Sequence, residues 1–271
     1  MEVLRQIERW PAQTVAVAVV SAHDTVFSGD EAAVLAWASV TKLATALACL
    51  VAAEEGTIEL DEPAGPSGST VRHLLAHASG LPPEQGPPIA RAATRRIYSN
   101  AGFEELAAVV AARAEMEFAD YLQRAVLEPL RMRTASLRGS PAWGLGSSIG
   151  DLAGLGAELL RPTLLAPETL AEATQVQFPG LVGVLPGFGR KDPNDWGLGF
   201  ELRDAKSPHW TGGSNSARTF GHFGQSGAFL WVDPDARVAL ACLTDLAFGD
   251  WAKTAWPRLS DAVLEETAGR Y

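Results

Sequence analysis

A serine and a lysine three residues apart, Ser39 and Lys42, open a long apolar segment of the sequence. Apolar residues recur with a helical period between Val40 and Val51, which places Ser39 at or just before the first turn of a buried helix. The free N–H groups and positive dipole of a helix start favour the negative charge that develops when a serine attacks a carbonyl. Lys42 follows one turn later on the same face, where burial lowers its pKa and lets it accept the serine proton. The spacing therefore predicts a nucleophile with its own base.

A purely structural explanation of this pair stays open. Ser39 could be a helix N-cap and Lys42 an ordinary solvated lysine. Two features favour the chemical interpretation. Lys42 is one of only four lysines in the chain, and the helix around it is too apolar to offer a wide solvent face.

Tyr98 and Asn100 precede a second predicted amphipathic helix, whose apolar positions begin at Phe103. A phenol near a lysine ammonium can ionise and relay a proton, and an adjacent amide can orient both the lysine and a substrate carbonyl. The structural alternative is that Asn100 caps the helix and Tyr98 belongs to the core.

The glycine-rich segment from Phe220 to Gly227 is the third stretch suited to chemistry. Glycines in a strand let a ligand approach the backbone closely, and a free N–H at a sheet edge can serve an oxyanion hole. The alternative interpretation is a bulged strand that turns a tight corner.

The elements that must position these residues form a pattern of strands at both ends of the chain and helices between them. Strand-like runs are predicted at residues 14–20, 25–28, 196–202, 219–222, 227–232 and 238–243. A final helix is predicted from Asp250 to Ala268, with a bend near Pro257. We therefore predict an α+β fold in one domain, residues 1–271, with a mixed lobe (about 1–60 and 178–271), a helical lobe (about 61–177) and the site between them.

The composition excludes several classes of protein. With 271 residues, 47% hydrophobic and 20% charged, the chain has ample material for a core. Its net charge of −10 argues against a nucleic acid partner, and no apolar run has membrane-spanning length. The first ten residues contain no secretory apolar region, so we predict a cytoplasmic protein, and the arginine-rich, lysine-poor composition is typical of a GC-rich bacterial genome. Cys49 and Cys242 lie in apolar segments and are predicted to be buried free thiols.

Taken together and in order, the three stretches resemble the signatures of the serine β-lactamase and penicillin-binding-protein superfamily. The matching motifs are Ser39-x-x-Lys42, Tyr98-x-Asn100 and His222-x-Gly224. The resemblance extends over roughly residues 14–265 and is greatest to the class C-like branch with its related esterases and DD-peptidases. It implies a β-lactamase/transpeptidase-like fold and a serine hydrolase that forms an acyl-enzyme on an ester, amide or β-lactam, with no cofactor and no metal. A catalytically idle binding or regulatory module of the same fold is the alternative, and no oligomeric state is predicted.

The resemblance also implies roles for individual residues. Ser39 would be the acylated nucleophile, Lys42 its base, Tyr98 the general acid/base, Asn100 a substrate-orienting amide, and His222-x-Gly224 an edge strand lining the site. The backbone N–H groups of Ser39 and Gln225 would form the oxyanion hole. Phe223 stands where relatives often have threonine, and His222 where many have lysine. Both differences weaken the expected recognition of an anionic carboxylate.

Two other motifs suggest competing sites. Ser148 lies in a G-x-S-x-G pattern, but the residues before it do not resemble the buried strand of a nucleophile elbow, so a capping box with Asp151 is the preferred interpretation. His73 and His77 could bind a metal from one helix face, but no general base follows the first histidine and no third ligand is evident. Structural histidines near a helix end are the expectation.

Overall fold

The computed structural model of the chain describes residues 1–268. Within that range the α-helices are α1 (Thr41–Glu54), α2 (Val71–Leu75), α3 (Asn100–Ala114), α4 (Phe118–Leu122), α5 (Ile149–Leu160), α6 (Pro167–Ala173) and α7 (Asp250–Ala268). Helical turns of other types are the 3₁₀ segments Glu2–Arg9 and Ala38–Val40 and the π segment Gln123–Leu127.

The strands are short and antiparallel to their neighbours. They are β1 (Val15–Val20), β2 (Thr25–Gly29), β3 (Leu35–Ala36), β4 (Ser136–Leu137), β5 (Leu145–Ser147), β6 (Gly183–Leu185), β7 (Gly189–Lys191), β8 (Glu201–Leu202), β9 (Phe220–Phe223), β10 (Phe229–Asp233) and β11 (Val238–Thr244). The main sheet has the order β2-β1-β11-β10-β9-β8, and smaller sheets have the orders β3-β5-β4 and β6-β7. The predicted α+β fold, with one sheet built from N- and C-terminal strands, is confirmed.

The main sheet is buried on both faces because helices cover each of them. In β1, Ala16, Ala18 and Val20 point into a core shared with α1 and α5, whereas Val17 and Val19 point into a second core with α7 and the segment Glu2–Arg9. This alternation is the two-residue period of a strand. The central strand β11 is therefore buried along its whole length, and its residues from Val238 to Leu243 are all apolar rather than alternating.

The two cysteines lie on different elements of these cores, as predicted. Cys49 in α1 and Cys242 in β11 are both buried and free. Burial raises the pKa of each thiol.

Helix α5 packs on the main sheet, against β11, β1 and β10, although its residues lie in the range assigned to the helical lobe. Gly156 permits the close approach, since a Cβ there would lie 3.1 Å from Leu230 Cδ1. Helices α3 and α4 pack against α1 and against each other. Residues 269–271 of the predicted domain lie outside the described residues.

One predicted strand is mostly absent. Of the run 196–202, only Glu201–Leu202 pairs in the sheet as β8. Gly199 explains the difference: it has φ +86°, a left-handed conformation incompatible with a regular strand, and a Cβ there would lie 2.2 Å from Ala46 Cβ of α1. The chain bends at Gly199 to contact α1. Among residues 1–268, no helix combines the length and apolarity that a membrane crossing requires.

Candidate active site

Ser39 is held at the start of α1 by a tight connection from β3. The preceding Trp37 is fully buried, its backbone N–H donates to Leu145 O, and its indole Nε1 donates to Ser147 Oγ at 2.9 Å. Ala38 adopts φ +44°, a left-handed conformation that costs a residue with a Cβ on the order of 1 kcal/mol. The connection thus fixes Ser39 in the first helical turn, as the sequence predicts.

Lys42 is fully buried and contacts three acceptors at once. Its Nζ lies 2.7 Å from Asn100 Oδ1, 2.9 Å from Ala142 O and 3.4 Å from Ser39 Oγ. Desolvation lowers the pKa of Lys42 to about 7, although the nearby carboxylates of Glu84 and Glu104 act to raise it.

The three contacts determine how a neutral Lys42 is oriented. A carbonyl or amide oxygen can only accept, so Asn100 Oδ1 and Ala142 O take the two hydrogens of the neutral amine. The remaining lone pair is then left for the hydroxyl of Ser39. The geometry is therefore that of a base directed at a nucleophile.

Asn100 occupies the first position of α3, whose N-cap is Ser99. The Ser99 hydroxyl accepts from Gly102 N–H at 2.9 Å, so the cap is Ser99 rather than Asn100. This leaves the Asn100 amide free to bridge: its Oδ1 accepts from Lys42, and its Nδ2 donates to Glu84 at 2.8 Å. The amide connects Lys42 to an exposed carboxylate.

Tyr98 places its ring against Lys42, with Nζ 4.7 Å from the ring centroid. Its Oη is buried and finds no hydrogen-bond partner among residues 1–268. Burial raises the pKa of the phenol, opposed only in part by the Ser39 hydroxyl beside it. The sequence suggested that the phenol could ionise beside Lys42; instead the environment keeps it protonated.

His222 is buried on β9 and has a defined tautomer. Its Nδ1 lies 2.6 Å from Phe223 O, and since that carbonyl can only accept, Nδ1 carries the hydrogen. Nε2 is then a hydrogen-bond acceptor, and it has no partner within the described range. Desolvation and the charge of Lys42 lower the pKa of His222 to about 3, so the ring is neutral near pH 7.

The strand β9 is second from the edge, not the edge strand that the sequence suggested. The edge strand β8 pairs only with Phe220 and Gly221 of β9, so it leaves the end of β9 at Phe223 uncovered. The strand β9 is therefore paired with β8 at one end only, and His222 lies on its unpaired part.

Gly224 brings the end of β9 against Ser39. A Cβ at Gly224 would lie 2.2 Å from Trp37 O and 3.2 Å from Ser39 N, so only glycine fits. The N–H of Gly224 is used, since it donates to Ala228 O. The N–H groups of Ser39 and Gln225 find no acceptor among residues 1–268, which leaves both available to an oxyanion.

These side chains border a cavity of about 170 Å³. Its lining consists of Ser39, Tyr98, Leu185, Pro186, Trp196, Glu201, His222, Phe223 and Gln225. The predicted residues Ser39, Tyr98, His222 and Gln225 thus meet in one cavity, with Lys42, Asn100 and Gly224 directly behind them.

Glu201 is the wall residue that the sequence analysis missed. It is fully buried, its Oε1 pairs with Lys206 Nζ, and its Oε2 accepts from Trp210 Nε1 and contacts His209 Nε2 at 2.8 Å. Despite desolvation, the contacts with His209 and Lys206 lower the pKa of Glu201 to about 2. The available signal in the sequence was that Glu201, Lys206 and His209 lie within nine residues of one another. The bend at Gly199, which turns this segment toward the cavity, was not predictable.

Phe223 belongs to an aromatic wall. Its ring centroid lies 4.9 Å from that of Phe248 and 5.9 Å from that of Phe188. A bulky apolar side chain therefore stands where relatives often have a threonine hydroxyl.

The competing motifs lie elsewhere. Ser148 is at the N-cap position of α5, but it makes no capping hydrogen bond; its hydroxyl contacts Thr134 Oγ1 at 3.0 Å, and Asp151 also accepts from Thr134 rather than completing a capping box. The predicted capping box is wrong because Thr134, from a neighbouring segment, forms hydrogen bonds with both Ser148 and Asp151.

The two histidines do not share a helix face. Helix α2 ends at Leu75, and His77 has φ +54° beyond its end. His77 accepts from Ser99 N–H through Nδ1, whereas His73 Nδ1 contacts Thr70 Oγ1. No cluster of three or more His, Cys, Asp or Glu residues suited to a metal occurs in the described part of the chain.

Comparison with known proteins identifies the family. The Beta-lactamase family model matches residues 7–264, so the chain belongs to the beta-lactamase family and has the β-lactamase/transpeptidase-like fold. Members of this family are serine hydrolases.

Solved structures agree with this assignment. A beta-lactamase from Mycobacterium bovis is 54% identical, with 98% of this chain and 99% of that chain covered and a TM-score of 0.96. The hydrolase EstCE1, which has promiscuous acyltransferase activity, is 17% identical with 97% of each chain covered and a TM-score of 0.80. A simvastatin synthase mutant from Aspergillus terreus is 16% identical, with 98% and 94% covered and a TM-score of 0.79. The last two show likeness of fold alone. No curated protein matches the chain.

Proposed function

We propose that the protein is a serine hydrolase that acts through a covalent acyl-enzyme on Ser39, with an ester, amide or β-lactam as substrate. The observation that carries the proposal is the environment of Lys42. A buried amine whose two hydrogens are taken by Asn100 Oδ1 and Ala142 O has its lone pair left for Ser39 Oγ, 3.4 Å away. A pKa of about 7 makes that amine neutral in a large share of molecules at neutral pH.

Acylation follows from these positions. Ser39 Oγ attacks the substrate carbonyl carbon while its proton passes to Lys42. The carbonyl oxygen gains negative charge between the N–H groups of Ser39 and Gln225, at the positive end of α1. The phenol of Tyr98, kept protonated by burial, donates to the leaving oxygen or nitrogen and regains a proton from Lys42.

Deacylation reverses the proton path. Water attacks the acyl carbonyl carbon, its proton passes to the Lys42 and Tyr98 pair, and Ser39 Oγ leaves with a proton from that pair.

The substrate class is supported by two further observations. A relative of 54% identity is named a beta-lactamase, which favours including β-lactams among the candidates. The neutral His222 and the apolar Phe223 offer no cation to a carboxylate next to the scissile bond, which favours esters and amides that lack a carboxylate at that position. We also propose a cytoplasmic location, which the free, buried Cys49 and Cys242 support.

The experiment compares Ser39→Ala with Ser148→Ala as the matched control. Both are assayed with p-nitrophenyl butyrate, a penicillin and a chromogenic cephalosporin. We expect turnover of at least one substrate to be lost in Ser39→Ala and kept in Ser148→Ala, and the relative rates to rank the substrate classes. Loss in Ser148→Ala alone would identify a conventional esterase site instead. Absence of turnover and of labelling in the unaltered protein would favour the idle binding module.

A further inference from the structure

A second, larger cavity adjoins the candidate active site. It is a groove of about 480 Å³, and Tyr98 and Pro186 line both spaces. The apolar residues of the groove are Pro83, Ile89, Ile97, Val182, Val184 and Pro186. Ile89 and Val184 are about 60% and 59% exposed, unusual for large apolar side chains, and both face this groove. A concave apolar surface continuous with a reactive site is the usual form of a ligand subsite.

The groove wall is rigid because Arg96 is buried behind it. The Arg96 guanidinium donates to four backbone carbonyls, those of Ala76, Asn194, Gln177 and Phe178. Its backbone pairs with the strand that begins at Gly183, where a Cβ would lie 2.3 Å from Arg96 O. The groove is therefore a preformed feature.

Two other arginines give the groove a positive rim. Arg95 lines it, is exposed, and makes no ion pair among residues 1–268. Arg190 lines it from β7 and pairs only with the exposed Asp192, at 3.1 Å. On a protein of net charge −10, this local excess of guanidinium groups is complementary to an anion.

The position of Tyr98 indicates which part of a substrate enters the groove. If Tyr98 protonates the leaving oxygen, as in the proposed function on which this inference rests, the departing group lies beside Tyr98. The groove begins there. The lining of the cavity around His222 contains no arginine or lysine, whereas Arg95 and Arg190 both line the groove.

We propose that the groove holds the departing alcohol or phenol of an ester substrate, and that this group is apolar and ends in a carboxylate that pairs with Arg95 and Arg190. In the reaction, a bond forms between Ser39 Oγ and the carbonyl carbon, and the bond from that carbon to the leaving oxygen breaks. The serine proton goes to Lys42, and the leaving oxygen takes the Tyr98 proton. The products are an acyl-enzyme and a free hydroxy acid.

The test uses two acetyl esters that yield the same acetyl-enzyme, 4-acetoxyphenylacetate and its uncharged analogue 4-acetoxyphenylacetamide. Because kcat/KM covers only the steps up to the acyl-enzyme and the two phenols differ only in the distant carboxylate or amide, the ratio of the two values reports recognition of the departing group. We expect the unaltered protein to prefer the carboxylate about tenfold, the sum of two exposed charge pairs. The double variant Arg95→Gln, Arg190→Gln should bring the ratio close to one.

Arg91→Gln is the matched control, since Arg91 is also exposed and near in sequence but does not line the groove. It should retain the preference. A ratio near or below one in the unaltered protein, or one that persists in the double variant, would overturn the groove assignment. Intact-mass analysis separates the two proposals. Acetylation of Ser39 without a preference that depends on the two arginines refutes the groove assignment only. No acetylation by either ester also refutes the groove assignment, and the acyl-enzyme proposal fails with it if the penicillin and the cephalosporin leave no adduct on Ser39 either.

Discussion

The Nζ of Lys42 and the Oδ1 of Asn100 lie 2.7 Å apart in a site where the lysine is fully buried. This hydrogen bond joins the first turn of α1 to the first turn of α3, so two helix starts position one amine. Because the amide oxygen can only accept, it holds a hydrogen of the neutral Lys42 amine away from Ser39 and leaves the lone pair for Ser39 Oγ.

The pH dependence of kcat/KM should follow the pKa of Lys42. Only the neutral amine accepts the serine proton, so activity should rise with pH through a value of about 7. Glu84 raises the pKa of Lys42, so Glu84→Gln should move this rise to lower pH. The amide oxygen of glutamine can still accept from Asn100 Nδ2. Glu105→Gln, an exposed change on α3 outside this network, is the control and should leave the profile in place. A profile unaffected by Glu84→Gln would contradict the assignment of Lys42 as the base.

Stability should also depend on Lys42. Its pKa is about 7 in the folded protein and close to 10.5 when unfolded, so between these values the unfolded chain binds more protons and stability rises with pH. Between pH 7 and pH 9 the free energy of unfolding should gain about 2 kcal/mol from this group. The Lys42→Met variant has no titrating amine at this position, so its free energy of unfolding should not show this increase with pH. Urea titrations of both proteins at the two pH values measure the difference, and equal pH dependence in the two would show that Lys42 keeps its ordinary pKa when folded.

Tyr98→Phe should separate activity from stability. The Oη of Tyr98 is buried without a hydrogen-bond partner among the described residues, so its removal should not lower the free energy of unfolding. Loss of the proton donor should reduce acyl transfer by about 10²–10⁴-fold. Thermal unfolding and steady-state kinetics on one preparation provide both measurements. Unimpaired acyl transfer would remove Tyr98 from the mechanism.

Gly224→Ala should damage the oxyanion hole. The new methyl group would lie 2.2 Å from Trp37 O and 3.2 Å from Ser39 N, so the backbone must shift, and we expect a loss of about 1–3 kcal/mol of stability. Activity should fall by about 10²-fold or more, because a displaced N–H no longer meets the developing charge. Gly150→Ala is the control: it lies in α5 with its nearest contact at 3.8 Å and should be neutral or stabilising. Retained activity in folded Gly224→Ala protein would argue against this oxyanion hole.

The sequence predicted the parts of the site that depend on local periodicity. Ser39 and Lys42 are one helical turn apart, so a helical pattern alone brings them together. The contact of Lys42 with Ala142 O joins residues a hundred positions apart, and no local pattern signals it. The inward turn of Glu201 depends on the left-handed Gly199 packed against α1, a tertiary constraint that strand propensity does not contain.

The most direct test of the central claim is intact-mass spectrometry of the protein after brief exposure to p-nitrophenyl butyrate near pH 8 and a rapid acid quench, which stops deacylation, with peptide mapping of any adduct. The proposed mechanism predicts a mass increase of one butyryl group on Ser39, absent in Ser39→Ala and present in Ser148→Ala. Turnover of this ester with an adduct on another residue, or with full activity in Ser39→Ala, would contradict it.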